Sequence, residues 1–167
     1  MQKLKLLAEA GILTGTEGYP IEENQFQPNS IDLRLGETAY RVRSSFLPEN
    51  ETVWEKIEKL SQYSFSIENG AVLEPNCVYI IPLLEKINLP SSFYLSPTGL
   101  TPELESSEVR LVSAENLSAK ANPKSTTGRL DIFTRVITDY SHRFEEIEPG
   151  YKGNLYWEVV PKSFPIK

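Results

Sequence analysis

Short runs in which apolar and polar residues alternate, each ended by Gly, Pro or Asn, recur along this chain and commit most of it to strands. Ile31–Gly36 (IDLRLG) and Ala39–Arg43 (AYRVR) are the first two. Ala71–Leu89 returns to strand character, with a turn at Pro75-Asn76 and a buried strand expected over Val78–Leu84. Leu130–Ile137 and Gly153–Val160 complete the set. Helical spacing occurs twice, at Leu4, Leu7 and Ala8, and at Val53, Ile57 and Leu60 within a helix expected over Glu51–Tyr63. Thr14–Asn24, rich in Gly, Pro, Thr and Glu, reads as a loop. Leu95–Ala119 reads as a surface excursion in which only Val109–Val112 suggests a strand. Many short strands with two short helices predict a mainly β fold, a β-barrel or jelly-roll.

The 167 residues suit a single domain over 1–167, able to bury roughly 70% of the surface its unfolded form exposes. Hydrophobic residues at 40% and charged residues at 24% exclude a disordered tail. Cys77, the sole cysteine, lies in the apolar run Cys77–Ile81, so an intrachain disulfide is impossible and a buried thiol is expected. One Cys and one His cannot build the His/Cys zinc site of nucleobase deaminases. A net charge of −6 argues against a nucleic-acid polymer as partner. It leaves room for a single nucleotide held by a few cations and backbone N–H groups, with Mg2+ offsetting the remaining charge. No apolar stretch approaches the ~20 residues a bilayer requires, so no membrane partner is expected and a cytoplasmic location is the default.

Two segments carry candidate chemistry. Lys124-Ser125-Thr126-Thr127-Gly128-Arg129 places two cations, three hydroxyls and a glycine side by side. These groups can supply charge and hydrogen-bond donors to a polyphosphate, with Gly128 permitting close backbone approach. The same composition also suits an ordinary polar turn, and it lacks the spacing of a Walker A loop. Glu158 lies in the strand Asn154–Val159, flanked by Tyr156, Trp157 and Val160. Buried there, its carboxylate suits a general base or proton shuttle; on an edge strand it would simply face water.

Taken in order, QPNSIDLRLG (27–36), PKSTTGRL (123–130) and SHRFEEIEPGYKGNLYWE (141–158) resemble the dCTP deaminase/dUTPase family. AYRVRSSFLP, AVLEPNCVYIIPLLE, ANPKSTTGRLDIFTR and GYKGNLYWEVVPKSF narrow the likeness to the long bacterial dCTP deaminase subgroup. The resemblance implies a homotrimer of distorted jelly-roll subunits of the dUTPase-like type, with active sites at subunit interfaces and dCTP as substrate. It places Ser125 and Arg129 on the family's catalytic serine and arginine, and Lys124, Thr126 and Thr127 in its phosphate-contacting loop. Glu148 falls where an acidic residue contacts the deoxyribose. Glu158 matches the water-activating glutamate, with Tyr156 and Trp157 beside it on the pyrimidine-facing strand. Mg2+ would ride on the triphosphate.

The chain departs from the subgroup at 95–119, which looks like an insertion. It departs again where Phe144-Glu145-Glu146 separate the His142-Arg143 pair from Ile147. The family's later segments are expected beyond Lys167, which would make this the N-terminal part of a longer protein. Two other readings stay open. In a dUTP diphosphatase, Asp139 of the Val136–Tyr140 segment would direct water at phosphorus. In a non-catalytic nucleotide-binding or assembly module, the same residues would bind without turnover.

Overall fold

The computed structural model describes residues 2–90, 93–96, 99–101, 110–112 and 117–167. The chain divides into two compact units.

The first unit comprises Met1–Arg34, Leu84–Ala119 and Glu148–Gly153. Helix α1 (Gln2–Glu9) precedes strand β1 (Leu13–Gly15), which runs antiparallel to the end of β4 (Val78–Asn88) with Leu13 opposite Ile87 and Gly15 opposite Glu85. Thr14–Asn24 is thus not all loop. It begins on a strand and runs into a short 3-10 turn, Glu23–Gln25. Gly15 is required there, since a Cβ would stand 2.0 Å from the Tyr19 carbonyl oxygen. Strands β5 (Phe93–Ser96), β6 (Gly99–Thr101) and β7 (Arg110–Val112) form a separate antiparallel sheet in the order β6-β5-β7. The strand expected at 109–112 is therefore present over 110–112. Much of the excursion expected over 95–119, namely 97–98, 102–109 and 113–116, lies outside the described residues.

The second unit comprises Leu35–Leu83, Lys120–Ile147 and Asn154–Lys167. Its sheet has the order β3-β2-β4-β11-β9, formed by β2 (Thr38–Val42), β3 (Ser61–Ser66), β4, β9 (Ile132–Thr138) and β11 (Lys152–Pro161). Strand alternation sends successive side chains to opposite faces, and both faces are covered. Val42, Ile80, Ile137 and Tyr156 pack with Val53 and Ile57 of helix α2 (Val53–Leu60). Ala39, Tyr79, Ile81 and Val159 pack with Leu73 on the other side. This two-sided burial explains why β4 reads as a nearly continuous apolar run. Helix α2 starts at a capping box in which Thr52 Oγ1 accepts from the Glu55 amide at 3.1 Å and Glu55 Oε2 accepts from the Thr52 amide at 2.7 Å. Each buried aliphatic side chain of its inner face contributes about 1.5–3 kcal/mol, and the cap about 1 kcal/mol.

Three expectations are corrected here. The helix expected over Glu51–Tyr63 stops at Leu60, and Ser61–Ser66 becomes an edge strand antiparallel to β2. The ring centres of its alternate residues Tyr63 and Phe65 lie 5.9 Å apart, with Ser64 between them; the helical spacing of Val53, Ile57 and Leu60 runs out before this alternation begins. Ile31–Gly36 is not a regular strand; only Ile31 and Leu35 make isolated bridges. Its Arg34 amide is taken by a carboxylate, that of Glu85. Farther along, the Gly36 amide donates to Pro82 O at 2.8 Å, and proline offers no amide in return. A Cβ on Gly36 would fall 2.8 Å from that same oxygen. Cys77, expected to be buried, is only half-buried at the margin of the second cluster.

Candidate active site

Strands β9 and β11 pair antiparallel in continuous register, with Glu158 opposite Arg135 and Tyr156 opposite Ile137. These four side chains share the sheet face that packs on α2, by strand alternation. Glu158 is fully buried. Its Oε1 accepts a hydrogen bond from Arg135 Nε at 2.8 Å, while Oε2, also buried, accepts none from any described residue. The Arg135 side chain is 20% exposed. Its guanidinium carbon lies 3.4 Å from the centre of the Phe144 ring and 5.1 Å from that of Phe133, and Nη2 donates to Ser45 Oγ. A buried carboxylate with one oxygen engaged by a fixed cation and the other unengaged has lone pairs left to accept a proton.

Tyr156 stands two positions along the same face. Burial raises its phenol above the ordinary tyrosine value, and the nearby Asp139 charge raises it further, against a lowering hydrogen bond with Asn154. It therefore remains a neutral donor at physiological pH. Trp157 points to the opposite face, where it packs at the margin of the Val159 cluster. The structure brings Tyr156 to the side of Glu158 and does not bring Trp157 there.

The polar segment becomes helix α3 (Ser125–Arg129), entered from an extended Lys124 and closed by the Thr127 amide on Lys124 O at 2.9 Å. Lys124, Ser125, Thr126, Gly128 and Arg129 are exposed and Thr127 is half-buried. A Cβ built on Gly128 would meet nothing within 4 Å, so the backbone there is open to an approaching group. Asp131, in the left-handed region at φ 54°, turns the chain from α3 straight into β9. Arg129 sits in the exposed last turn of α3, and the guanidinium that meets Glu158 is that of Arg135.

Asp139 lies just beyond β9 and accepts from the Val53 amide at 2.8 Å. His142 is exposed. Strands β8 (Ala119–Lys120) and β10 (Glu146–Ile147) pair with each other. Glu146 is bonded there by Lys120 and by Arg143, each at 3.1 Å, and these two bonds, that of Lys120 foremost, hold its carboxyl below the usual range. Arg143 is thus occupied in a surface ion triad. Glu148 belongs to the other unit, where it opens an exposed turn closed by the Tyr151 amide on Glu148 O at 3.2 Å.

Two participants escaped the sequence reading. Arg135 carried a usable signal: counted by twos from Ile137 it belongs on the inward face of its strand, an unusual place for a charge without a buried partner. The other is Glu85 in the first unit, fully buried and fully engaged. Its Oε1 accepts from Arg34 Nε at 2.8 Å and Gln25 Nε2 at 2.8 Å, and its Oε2 from the Arg34 amide at 2.7 Å. Arg34 Nη2 also donates to the carbonyls of Tyr19 and Pro20. Every strong polar group there is matched, which makes it a structural node of the first unit, in contrast to the half-engaged Glu158.

Comparison with known proteins identifies the fold. The chain matches the family described as the 2'-deoxycytidine 5'-triphosphate deaminase (DCD) N-terminal domain over residues 1–98 and 104–167. It is similar to a solved 2'-deoxycytidine 5'-triphosphate deaminase from Agrobacterium tumefaciens, with 39% identity and a TM-score of 0.76 over 98% of this chain and 41% of that one. It is also 23% identical, over 89% of its length, to the dCTP deaminase of Ignicoccus hospitalis, of which it spans 64%. The chain thus covers less than two thirds of both relatives. The mainly β fold of distorted dUTPase-like type expected from the sequence is the observed one. With the family match extending over all but a few residues, this chain belongs to the dCTP deaminase family.

Proposed function

We propose that the protein hydrolyses dCTP to dUTP and ammonia, feeding pyrimidine deoxynucleotide synthesis, with Glu158 as the base that activates water. The observation that carries this reading is the state of the Glu158 carboxylate: buried, held through Oε1 by Arg135, with Oε2 unengaged. Glu158 takes a proton from water, the resulting nucleophile attacks C4 of cytosine, and the carboxyl returns the proton to the departing ammonia. The neutral phenol of Tyr156 is a donor on the same face.

Lys124, Ser125, Thr126, Thr127, the open backbone at Gly128 and Arg129 bind and orient the triphosphate end. Ser125 and Arg129 also serve the reacting centre, and Glu148 holds the deoxyribose. The exposure of the α3 segment supports a site shared with a neighbouring subunit of a homotrimer. The donors of this segment, cations and hydroxyls, suit phosphate and not a bare cation. Mg2+ would therefore arrive on the triphosphate and neutralise part of its charge. The inventory of one Cys and one His supports a zinc-independent reaction. No helix among the described residues is long and apolar enough to cross a membrane, and we place the activity in the cytoplasm.

The test is product analysis with the full-length gene product. Ammonia release from dCTP is expected. Pyrophosphate release from dUTP without ammonia from dCTP would instead assign a diphosphatase, and binding without turnover a nucleotide-binding module.

A further inference from the structure

We infer that Arg135 is the positioning residue for Glu158, and that Phe144 is what fixes Arg135. The inference rests on the deaminase reading above and assigns to one cation the orientation of the base. The carboxylate of Glu158 can rotate about its terminal bond. The Arg135 Nε contact with Oε1, at 2.8 Å, removes that freedom and decides where Oε2 points. A guanidinium can do this only if it is itself held. Here its plane is set by Phe144, 3.4 Å from guanidinium carbon to ring centre, and by Nη2 on Ser45 Oγ. The cross-strand register adds the backbone constraint, since Arg135 and Glu158 face each other directly.

The arrangement needs arginine. A lysine would keep the charge but lose both the fork that reaches Glu158 and Ser45 together and the flat face that lies on an aromatic ring. The ring comes from Phe144, the first residue of the Phe144-Glu145-Glu146 segment that sets this chain apart from the family pattern. That departure therefore has a local use: it brings an aromatic face over the cation that holds the base.

The experiment uses the full-length protein, dCTP as substrate and ammonia as readout, on Arg135→Ala, Arg135→Lys and Phe144→Leu. Misplacing a reacting group by a fraction of its contact distance costs about 10- to 100-fold in rate. Arg135→Ala is expected to lose that much in kcat, with KM within about twofold of the parent. Because Arg135 is partly exposed, added guanidinium should restore part of the lost kcat, while urea at equal concentration should not. Phe144→Leu should lose less, and Arg135→Lys should not reach the parent rate.

A parallel arm measures coupling without catalysis, by chemical denaturation of Arg135→Met, Glu158→Gln and the double variant. Non-additive destabilisation is expected. Parental kcat in Arg135→Ala, or a loss that guanidinium leaves untouched in a protein that still melts cooperatively, overturns the positioning role. If the parent itself releases no ammonia, the deaminase reading fails and takes the positioning role with it, whereas additive stabilities would show that the ion pair is not coupled. The two failures are thereby told apart.

Discussion

The Asp139 carboxylate accepts the Val53 amide at 2.8 Å, so the residue at the end of β9 caps the first turn of α2. This helix also has Thr52 as its own N-cap, and the two acceptors together satisfy donors that an isolated helix would leave to water.

Removing the second acceptor should cost stability and not chemistry. Asp139→Ala is expected to lower the unfolding free energy by about 1 kcal/mol, with Asp139→Asn costing less because an amide oxygen can still accept. Urea denaturation measures the loss. Ammonia release from dCTP by the Asn variant should stay near the parental rate; its collapse with stability unchanged would return Asp139 to the reacting centre.

Glu158→Gln keeps the size of the side chain and its contact with Arg135 but cannot take a proton from water. The chemical step should slow by about 100- to 10,000-fold, equivalent to roughly 3–5 kcal/mol of barrier. Nucleotide binding, followed by calorimetry, should survive. Parental turnover in this variant would assign the base elsewhere.

Lys124→Ala should weaken triphosphate binding while leaving the fold intact, since an exposed change of this kind shifts stability by about 0.5 kcal/mol or less. Titration with dCTP and a thermal melt read the two effects separately. An unchanged affinity for dCTP would remove the α3 segment from the phosphate site.

Tyr156 and Tyr79 both have phenols raised above the ordinary value, chiefly by burial. The unfolded chain ionises its tyrosines near pH ~10, whereas the folded chain keeps these two protonated beyond that point. Their contribution to stability is therefore full below pH ~10 and is lost as pH rises through the folded values. Alkaline denaturation should accompany the last part of the tyrosinate absorbance change, and Tyr156→Phe should flatten the alkaline fall in stability. A variant whose alkaline profile overlays that of the parent would show that Tyr156 is not one of the groups responsible.

The fold class was legible because strand signals are local: β2 alternates and β4 is a bounded apolar run, each within a few residues. What failed was local structure set by partners far along the chain. Ile31–Gly36 has the alternation of a strand, yet Arg34 is drawn out of a ladder by Glu85, 51 residues away. Tyr63-Ser64-Phe65-Ser66 alternates, but only over a short stretch directly after a helical run, and pairing with β2 is what makes Ser61–Ser66 a strand. The same limit applied at the candidate site. Glu158 could be named from its neighbours in sequence, but Arg135, Phe144 and Ser45 meet it or its partner only through pairing and packing. Trp157 shows the converse, because adjacency in sequence placed it beside Glu158 while alternation sends it to the opposite face.

The β9–β11 register also sets a parity rule for insertions and deletions. The connection between the two strands can change length by any number of residues, since pairing resumes beyond it. Within β11 an odd change exchanges the two faces, turning the Glu158 carboxylate toward the Val159 cluster and presenting an indole or an aliphatic side chain to Arg135. An even change keeps the carboxylate on its face but slides it along the ladder, opposite Ile137 or Phe133 in place of Arg135, so the spacing inside this strand is under a constraint that no single-residue substitution would reveal.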